Sequence, residues 1–144
     1  MALVIRNSSD MQWDEVAKHG REITRCLTRL VERFPEEATL QSAFDDIMDG
    51  RRQLWLIIDD ETDVVVMIQL TEICTNLITG KTFVRCVNTG GAGIDDALPL
   101  LDEIEAWAKS IGAEKIEGVG RQAWVRLLKP RGYELSSVTL TKRL

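Results

Sequence analysis

The run Val64-Val65-Val66-Met67-Ile68 constrains this chain more than any other feature. Its residues are branched or apolar and do not alternate with polar ones, which is what a strand shows when both of its faces are buried. A sheet centred on it needs cover on each side, and helical periodicity elsewhere in the sequence supplies that cover. Trp13, Val16, Ala17, Ile23, Leu27, Leu30, Val31 and Phe34 recur at three- and four-residue steps and predict a helix over about 11–33. Ser9 with Gln12 suits a capping box at its start, and Gly20 marks a kink or a close contact inside it. Pro35, Glu36 and Glu37 suit the first turn of a second helix whose apolar face is Ala43, Phe44, Ile47 and Met48 and which ends at Gly50.

Segments 54–58, 64–70 and 82–87 read as strands of an antiparallel meander, with the polar stretch 59–63 as the first turn. A leading strand over 2–5 fits the same sheet. From Asp95 the period returns to helical, with Leu98, Leu101, Ile104, Ala108 and Ile111 on one stripe, Pro99 in the first turn and Gly112 as the C-terminal cap. A short strand over 115–119, a short helix over 123–129 with Trp124, Leu127 and Leu128 inward, and a final strand over 135–140 complete the order. No repeat or low-complexity linker divides the 144 residues, so the expectation is one α/β (α+β) domain spanning 1–144. Its sheet is mixed and mostly antiparallel, with helices on both faces.

Composition removes several function classes. The apolar runs fall far short of the roughly 18–20 residues of a membrane span, and the N-terminal apolar stretch is too short for a signal peptide, so cytoplasmic residence is expected. Three cysteines, Cys26, Cys74 and Cys86, form no Cys-x-x-Cys clip, and the single histidine, His19, excludes a multi-histidine site, so no metal is expected. Eighteen basic and twenty-three acidic residues give a net charge of −5, which offers nucleic acid no general attraction. The local basic cluster Lys129, Arg131, Lys142 and Arg143 reads as solvated surface.

The element order, with the loop Asn88-Thr89-Gly90-Gly91-Ala92-Gly93 between the third long strand and the main helix, resembles the GNAT superfamily of acyl-coenzyme A dependent N-acyltransferases. That family's loop reads Gln or Arg, two residues, Gly, one residue, then Gly or Ala, and Gly91 and Gly93 stand in the glycine places. Ala108-Lys109-Ser110-Ile111-Gly112-Ala113-Glu114-Lys115-Ile116 is similar to the family's helix end and following strand, and Gly132-Tyr133 to the Gly-Phe before its last strand. The resemblance implies the GNAT fold, acetyl-CoA or CoA as ligand, and a pyrophosphate held by the backbone of Asn88, Thr89, Gly90, Gly91, Ala92, Gly93 and Ile94. Glycines let a backbone approach phosphate closely, and free amides at a helix start attract it. A glycine turn entering a capped helix is the plain alternative.

The sequence departs from the pattern at several points. Asn88 replaces Gln or Arg, and Asp95 and Asp96 follow where a pyrophosphate would lie, a like-charge contact costing about 1 kcal/mol per solvated pair. The same carboxylates stabilise a helix start by about 0.3–1 kcal/mol each. The tyrosine that serves many family members as general acid is replaced by Leu128. Glu72, ending the second strand, and Glu117, on the short strand, are the candidate bases, or else exposed polar positions. Tyr133 is expected to pack against the sheet with its hydroxyl at the edge, and Cys86 to be an inward, inert thiol.

Two functions therefore stand side by side: an N-acyltransferase, and a non-catalytic relative acting in virion assembly or in binding a host protein. Glu105-Ala106-Trp107-Ala108, Gly120-Arg121, Trp124 and Gly132-Tyr133 also resemble small GNAT-like proteins of phages and prophages, which implies a bacterial host cytoplasm or a virion. Arg121 and Arg126 suit a carboxylate, a phosphate or a partner chain, or cover Trp124 and reach solvent. Four tryptophans against one tyrosine suit an interface with a protein partner or a second copy. Trp13 and Trp124 lie on apolar stripes as core, which leaves Trp55 and Trp107 as the exposed contact surface.

Overall fold

A computed structural model describes residues 2–91, 94–120 and 122–144. Strand β1 (Leu3–Asn7) leads through a short 3-10 turn into helices α1 (Trp13–Ala17), α2 (Gly20–Arg33) and α3 (Leu40–Met48). Strands β2 (Gln53–Asp59), β3 (Val64–Thr75) and β4 (Thr82–Gly91) follow. Helix α4 (Ile94–Ala97), a 3-10 turn Leu98–Leu100 and helix α5 (Leu101–Ser110) then lead to β5 (Ile116–Gly118) and α6 (Ala123–Leu128). The five strands lie in the order β1-β2-β3-β4-β5, antiparallel except for the β4–β5 pair. This is the expected mixed sheet.

Side-chain alternation divides the core into two layers. Leu54, Leu56, Ile58, Val65, Ile68 and Leu70 face α2 and α3, where Ile23, Cys26, Leu27 and Leu30 form the buried stripe of α2. Ile5, Trp55, Ile57 and Met67 face the opposite way and meet Ala97 and Ile104. Leu27, Leu56 and Ile68 have no exposed surface, and burial of each such side chain contributes about 1.5–3 kcal/mol. The run Val64 to Ile68 forms β3's N-terminal half and is buried on both sides at Val65, Met67 and Ile68.

Several expectations are corrected. The first predicted helix is two helices, broken at His19, because the chain there leaves helical dihedrals before α2 starts at Gly20. The Ser9 and Gln12 box is absent; Asn7 accepts from the Ser9 amide instead and caps the 3-10 turn. The second helix starts five residues after Pro35, where Thr39 and Ser42 cap each other's backbone amides at 3.1 and 2.9 Å. The main helix is interrupted by the 3-10 turn holding Pro99, which has no amide to give. Its C-terminus ends as predicted: Gly112 has φ +81°, and the Gly112 and Ala113 amides bond Lys109 and Ala108 carbonyls.

The predicted final strand over 135–140 does not form. A strand exists only against another backbone, and this segment pairs with none of the five strands; Leu140 is 91% exposed. Trp13, expected in the core, is 67% exposed, because the break at His19 separates its short helix from α2. Arg131, read as solvated surface, is half-buried and bonded to Asp102 at 2.6 Å, and Arg143 pairs with Glu36.

Candidate functional site

The site begins with a disagreement between neighbouring strands. β5 pairs with β4 only from Val84 to Cys86, while β4 continues to Gly91 along β3. The register against β3 jumps between Leu70 and Thr71, which makes Val87 an extra residue on β4. A bulge of this kind bends and twists its strand, and here it stands where pairing to β5 stops. Beyond it, the β5-side edge of β4 has no strand beside it among the described residues. The wedge so opened is a cleft of about 400 Å³.

Its floor is the α5-facing side of the sheet, including Ile5, Ile57, Met67 and Cys86. Ile94, Ala97, Leu100, Leu101 and Ile104 form one wall, and Gly118, Gly120, Trp124, Leu127, Leu128 and Tyr133 the other. Gly120 lets the indole lie against the chain, since a Cβ there would be 2.5 Å from Trp124 Cδ1. Two bonds tie this second wall to α5: Tyr133 Oη donates to Glu105 Oε1 at 2.7 Å, and Arg131 Nη2 to Asp102 Oδ1 at 2.6 Å.

Polar groups in the lining are few and largely engaged with each other. Gln69 Nε2 donates to the Leu70 and Asn88 carbonyls at 2.8 and 3.0 Å, and Thr89 Oγ1 to Gln69 Oε1 at 2.6 Å. Arg33 is exposed at the rim. The remaining titratable groups among the described lining residues are Cys86 and Tyr133. Burial pushes the Cys86 thiol up to about 12, with the Glu105 carboxylate adding to it, so Cys86 is a neutral thiol, as expected. Burial, then the Glu105 hydrogen bond and charge, raise the Tyr133 phenol well above its usual value. Tyr133 is half-buried on the cleft wall, with its hydroxyl bonded to Glu105 of α5.

The expected residues do not all gather here. Asn88, Thr89, Gly91 and Ile94 line the cleft. Gly90 is pinned beneath α2, where a Cβ would be 2.6 Å from the Cys26 carbonyl oxygen; at Gly91 it would be 2.4 Å from that of Val66. Packing alone thus demands glycine at both, and Gly91 has φ +115° besides. Ala92, Gly93 and Arg121 lie outside the described residues. Asp95 and Asp96 are exposed, where solvent screens their charge.

Glu72 and Glu117 are not in the lining. They flank Arg85 in register across β3, β4 and β5, on the face opposite Cys86. Arg85 reaches Glu72 at 3.2 Å and Glu117 at 3.3 Å, Arg52 adds a contact to Glu72 at 3.6 Å, and Lys115 lies 3.1 Å from Glu117. Burial raises the Glu117 carboxyl, but Lys115 and Arg85 outweigh it and hold it below the ordinary value. These carboxylates are paired with a row of cations.

Trp55, read as an exposed contact, is 4% exposed; α5 covers its face of the sheet, and its indole nitrogen donates to Thr71 Oγ1 at 3.0 Å. Trp107 is half-buried edge-on against Trp55, ring centres 5.3 Å apart. Trp124, expected in the core, is half-buried and walls the cleft, while Arg126 is exposed on α6. The Tyr133–Glu105 pair was missed because 28 residues separate its partners, and no local pattern announces such a contact. Among the described residues no helix is long and apolar enough to cross a membrane, and no acidic, histidine and cysteine cluster could hold a metal ion.

No protein-family model matches the sequence, and no curated protein is significantly similar to it. Solved structures do match. A probable acetyltransferase superposes with a TM-score of 0.71 at 12% identity, over 100% of this chain and 97% of its own. A putative acetyl transferase from Pyrococcus furiosus gives 0.67 at 19% identity, over 99% and 100%. A GNAT family acetyltransferase from Staphylococcus aureus gives 0.65 at 12%, over 100% of both chains. The chain thus has the GNAT fold along its whole length, at identities that speak for the fold alone.

Proposed function

We propose that this protein binds an acyl-coenzyme A in the wedge between β4 and β5 and transfers the acyl group to an amine. The observation that carries this reading is the unpaired edge of β4 from Val87 to Gly91, which borders an apolar cleft and runs into the start of a helical segment. Such an edge recognises an extended, amide-bearing thread by adding it as a strand, and the pantetheine arm is one. Asn88, Thr89 and Gly91 would hold that arm, with Trp124 and Leu127 closing over it. Coenzyme A would supply an activated thioester.

In the transfer, the amine nitrogen forms a bond to the acyl carbon, the carbon–sulfur bond breaks, and the departing thiolate needs a proton. Tyr133 stands on the cleft wall, but its hydroxyl already donates to Glu105 and burial raises its pKa well above the ordinary value, so it is a poor acid and water protonates the departing thiolate. No carboxylate stands among the described lining residues, so the ammonium's proton leaves to water and the rate follows the neutral amine. The same lack favours the second reading, a non-catalytic relative that uses the fold to hold a protein partner.

Titration calorimetry with coenzyme A tests the first reading. Micromolar binding is expected, weakened by Trp124→Ala; no heat up to millimolar ligand overturns it. Thiol release from acetyl-CoA with a panel of amines then separates the two readings. Turnover that rises with pH until the amine is deprotonated supports catalysis, and tight binding without turnover supports the second.

A further inference from the structure

We infer that two copies of this chain pair by exchanging their C-terminal segments, each laying residues 135–140 as an added strand along β5 of the other. This goes beyond the acyl-coenzyme A reading and does not depend on it. Two unsatisfied parts of the chain carry it, and the first is the outer edge of β5. The Val84 amide donates to the Lys115 carbonyl and the Val119 amide to the Cys86 carbonyl, both at 3.1 Å, so residues 115, 117 and 119 turn their backbone groups toward β4. The amides and carbonyls of Ile116 and Gly118 therefore point away from the sheet, and no backbone among the described residues meets them. The second part is the segment 134–144, exposed at every residue and without a backbone–backbone hydrogen bond among the described residues. Leu135, Val138, Thr139 and Leu140 give it the composition of a strand, with no sheet to join.

One antiparallel register suits both parts. With Leu140 opposite Ile116, Val138 falls opposite Gly118, and both apolar side chains join the face on which Ile116 and Cys86 pack against the core of Trp55 and Ile104. Thr139 then stands opposite Glu117 on the face of the Arg85 row, and Lys142 opposite the Glu114 carboxylate. Alternation and charge thus agree with the two faces of β5. The chain does not make this pairing with itself. Just before the segment, Arg131 and Tyr133 are bonded to Asp102 and Glu105 of α5, on one face of the sheet. Near its end Arg143 pairs with Glu36, in the connection from α2 to α3 on the other face. The segment so passes from one layer to the other instead of running along its own β5. The Arg143 contact is exposed on both sides, so it is a weak tether and readily exchanged. A second copy brings the same free edge and the same free segment, and a two-fold axis satisfies both chains at once and closes the assembly at two.

Light scattering on the full chain at micromolar concentration should give twice the chain mass. Val138→Pro removes an amide that faces β5 in this register and should halve that mass, whereas Ser137→Pro removes one that faces away and should leave the dimer, both variants being checked for folding by thermal unfolding. Residues 117 and 139 form a non-hydrogen-bonded pair, close enough for a disulfide. Mixing Glu117→Cys protein with Thr139→Cys protein in oxidised glutathione should therefore yield a covalent dimer that neither variant forms alone. A monomer at every concentration up to millimolar, or a dimer that Val138→Pro leaves intact, overturns the exchange. A disulfide that forms within the doubly substituted chain, and not between the mixed variants, assigns the segment to its own β5 and overturns it as well.

Discussion

Replacing Gly91 by alanine tests whether the glycine run of β4 is there for packing. Two costs meet at this residue. Its φ of +115° is closed to a side chain, and the Cβ would sit 2.4 Å from the Val66 carbonyl oxygen and 2.7 Å from Met67 Cα. Both obstacles are backbone in the central strand and cannot swing aside. Two other glycines separate the terms. Gly50 has φ +76° with nothing within 4 Å of a Cβ, so Gly50→Ala carries the dihedral cost alone, about 1–2 kcal/mol. Gly90 has no positive φ but a Cβ 2.6 Å from the Cys26 carbonyl oxygen, so Gly90→Ala carries the overlap alone, about 1–3 kcal/mol. Gly91→Ala should lose roughly 3–5 kcal/mol, a large share of the 5–15 kcal/mol that holds a domain together. Urea unfolding of the three variants measures this. A Gly91→Ala midpoint at the wild-type value refutes the packing argument and returns the glycine to the ligand. A loss of ligand binding at Gly91 therefore reports on the site only where the folded fraction has been measured beside it.

Glu72→Gln and Glu117→Gln should each leave thiol release with acyl-CoA and amine far above the hundredfold or greater loss that removal of a general base brings, because both carboxylates already pair with Arg85 on the other face. A loss of that size in either variant would restore it as the base. The Cys86 thiol predicts an alkaline effect: its folded pKa of about 12 lies above the ordinary 9.0, so its contribution to stability is complete below pH 9 and fades as the pH rises toward 12. The stability difference between wild type and Cys86→Ala should shrink across that window in urea unfolding; a difference that grows with pH would contradict a thiol held neutral in the folded state.

Much of the fold was legible because it is local. The period of two or 3.6 says which residues share a face, so the three long strands, the α2 stripe and the α5 stripe were all found near their places. Gly112 was legible for the same reason, since a helix end needs a left-handed residue wherever the helix packs. Capping was less so: Thr39 and Ser42 win over Pro35 by satisfying both amides, a contest that composition near a helix start does not settle. Trp55 shows the limit of periodicity. Alternation with Leu54 and Leu56 correctly set it on the opposite face, but only the return of α5 over that face decided that it is buried.

The site itself divides along the same line. The sequence determined that a run of glycines lies between a strand and a helix and that a tyrosine follows Gly132, because residue identity and spacing carry that information directly; that Asn88–Gly91 continues the strand instead of forming a loop, only the pairing with β3 decided. Tertiary structure alone decided what those residues do: the bulge at Val87 that opens the cleft, the α2 carbonyl that fills the place of a Gly90 side chain, the Glu105 carboxylate that reaches Tyr133, and the Arg85 guanidinium that takes up Glu72 and Glu117. Each of these depends on register and approach between segments distant in the chain. Those distances are set by how whole layers pack, and a one-residue slip of β4 against β3 would remove the bulge at Val87 and turn Arg85 to the other face.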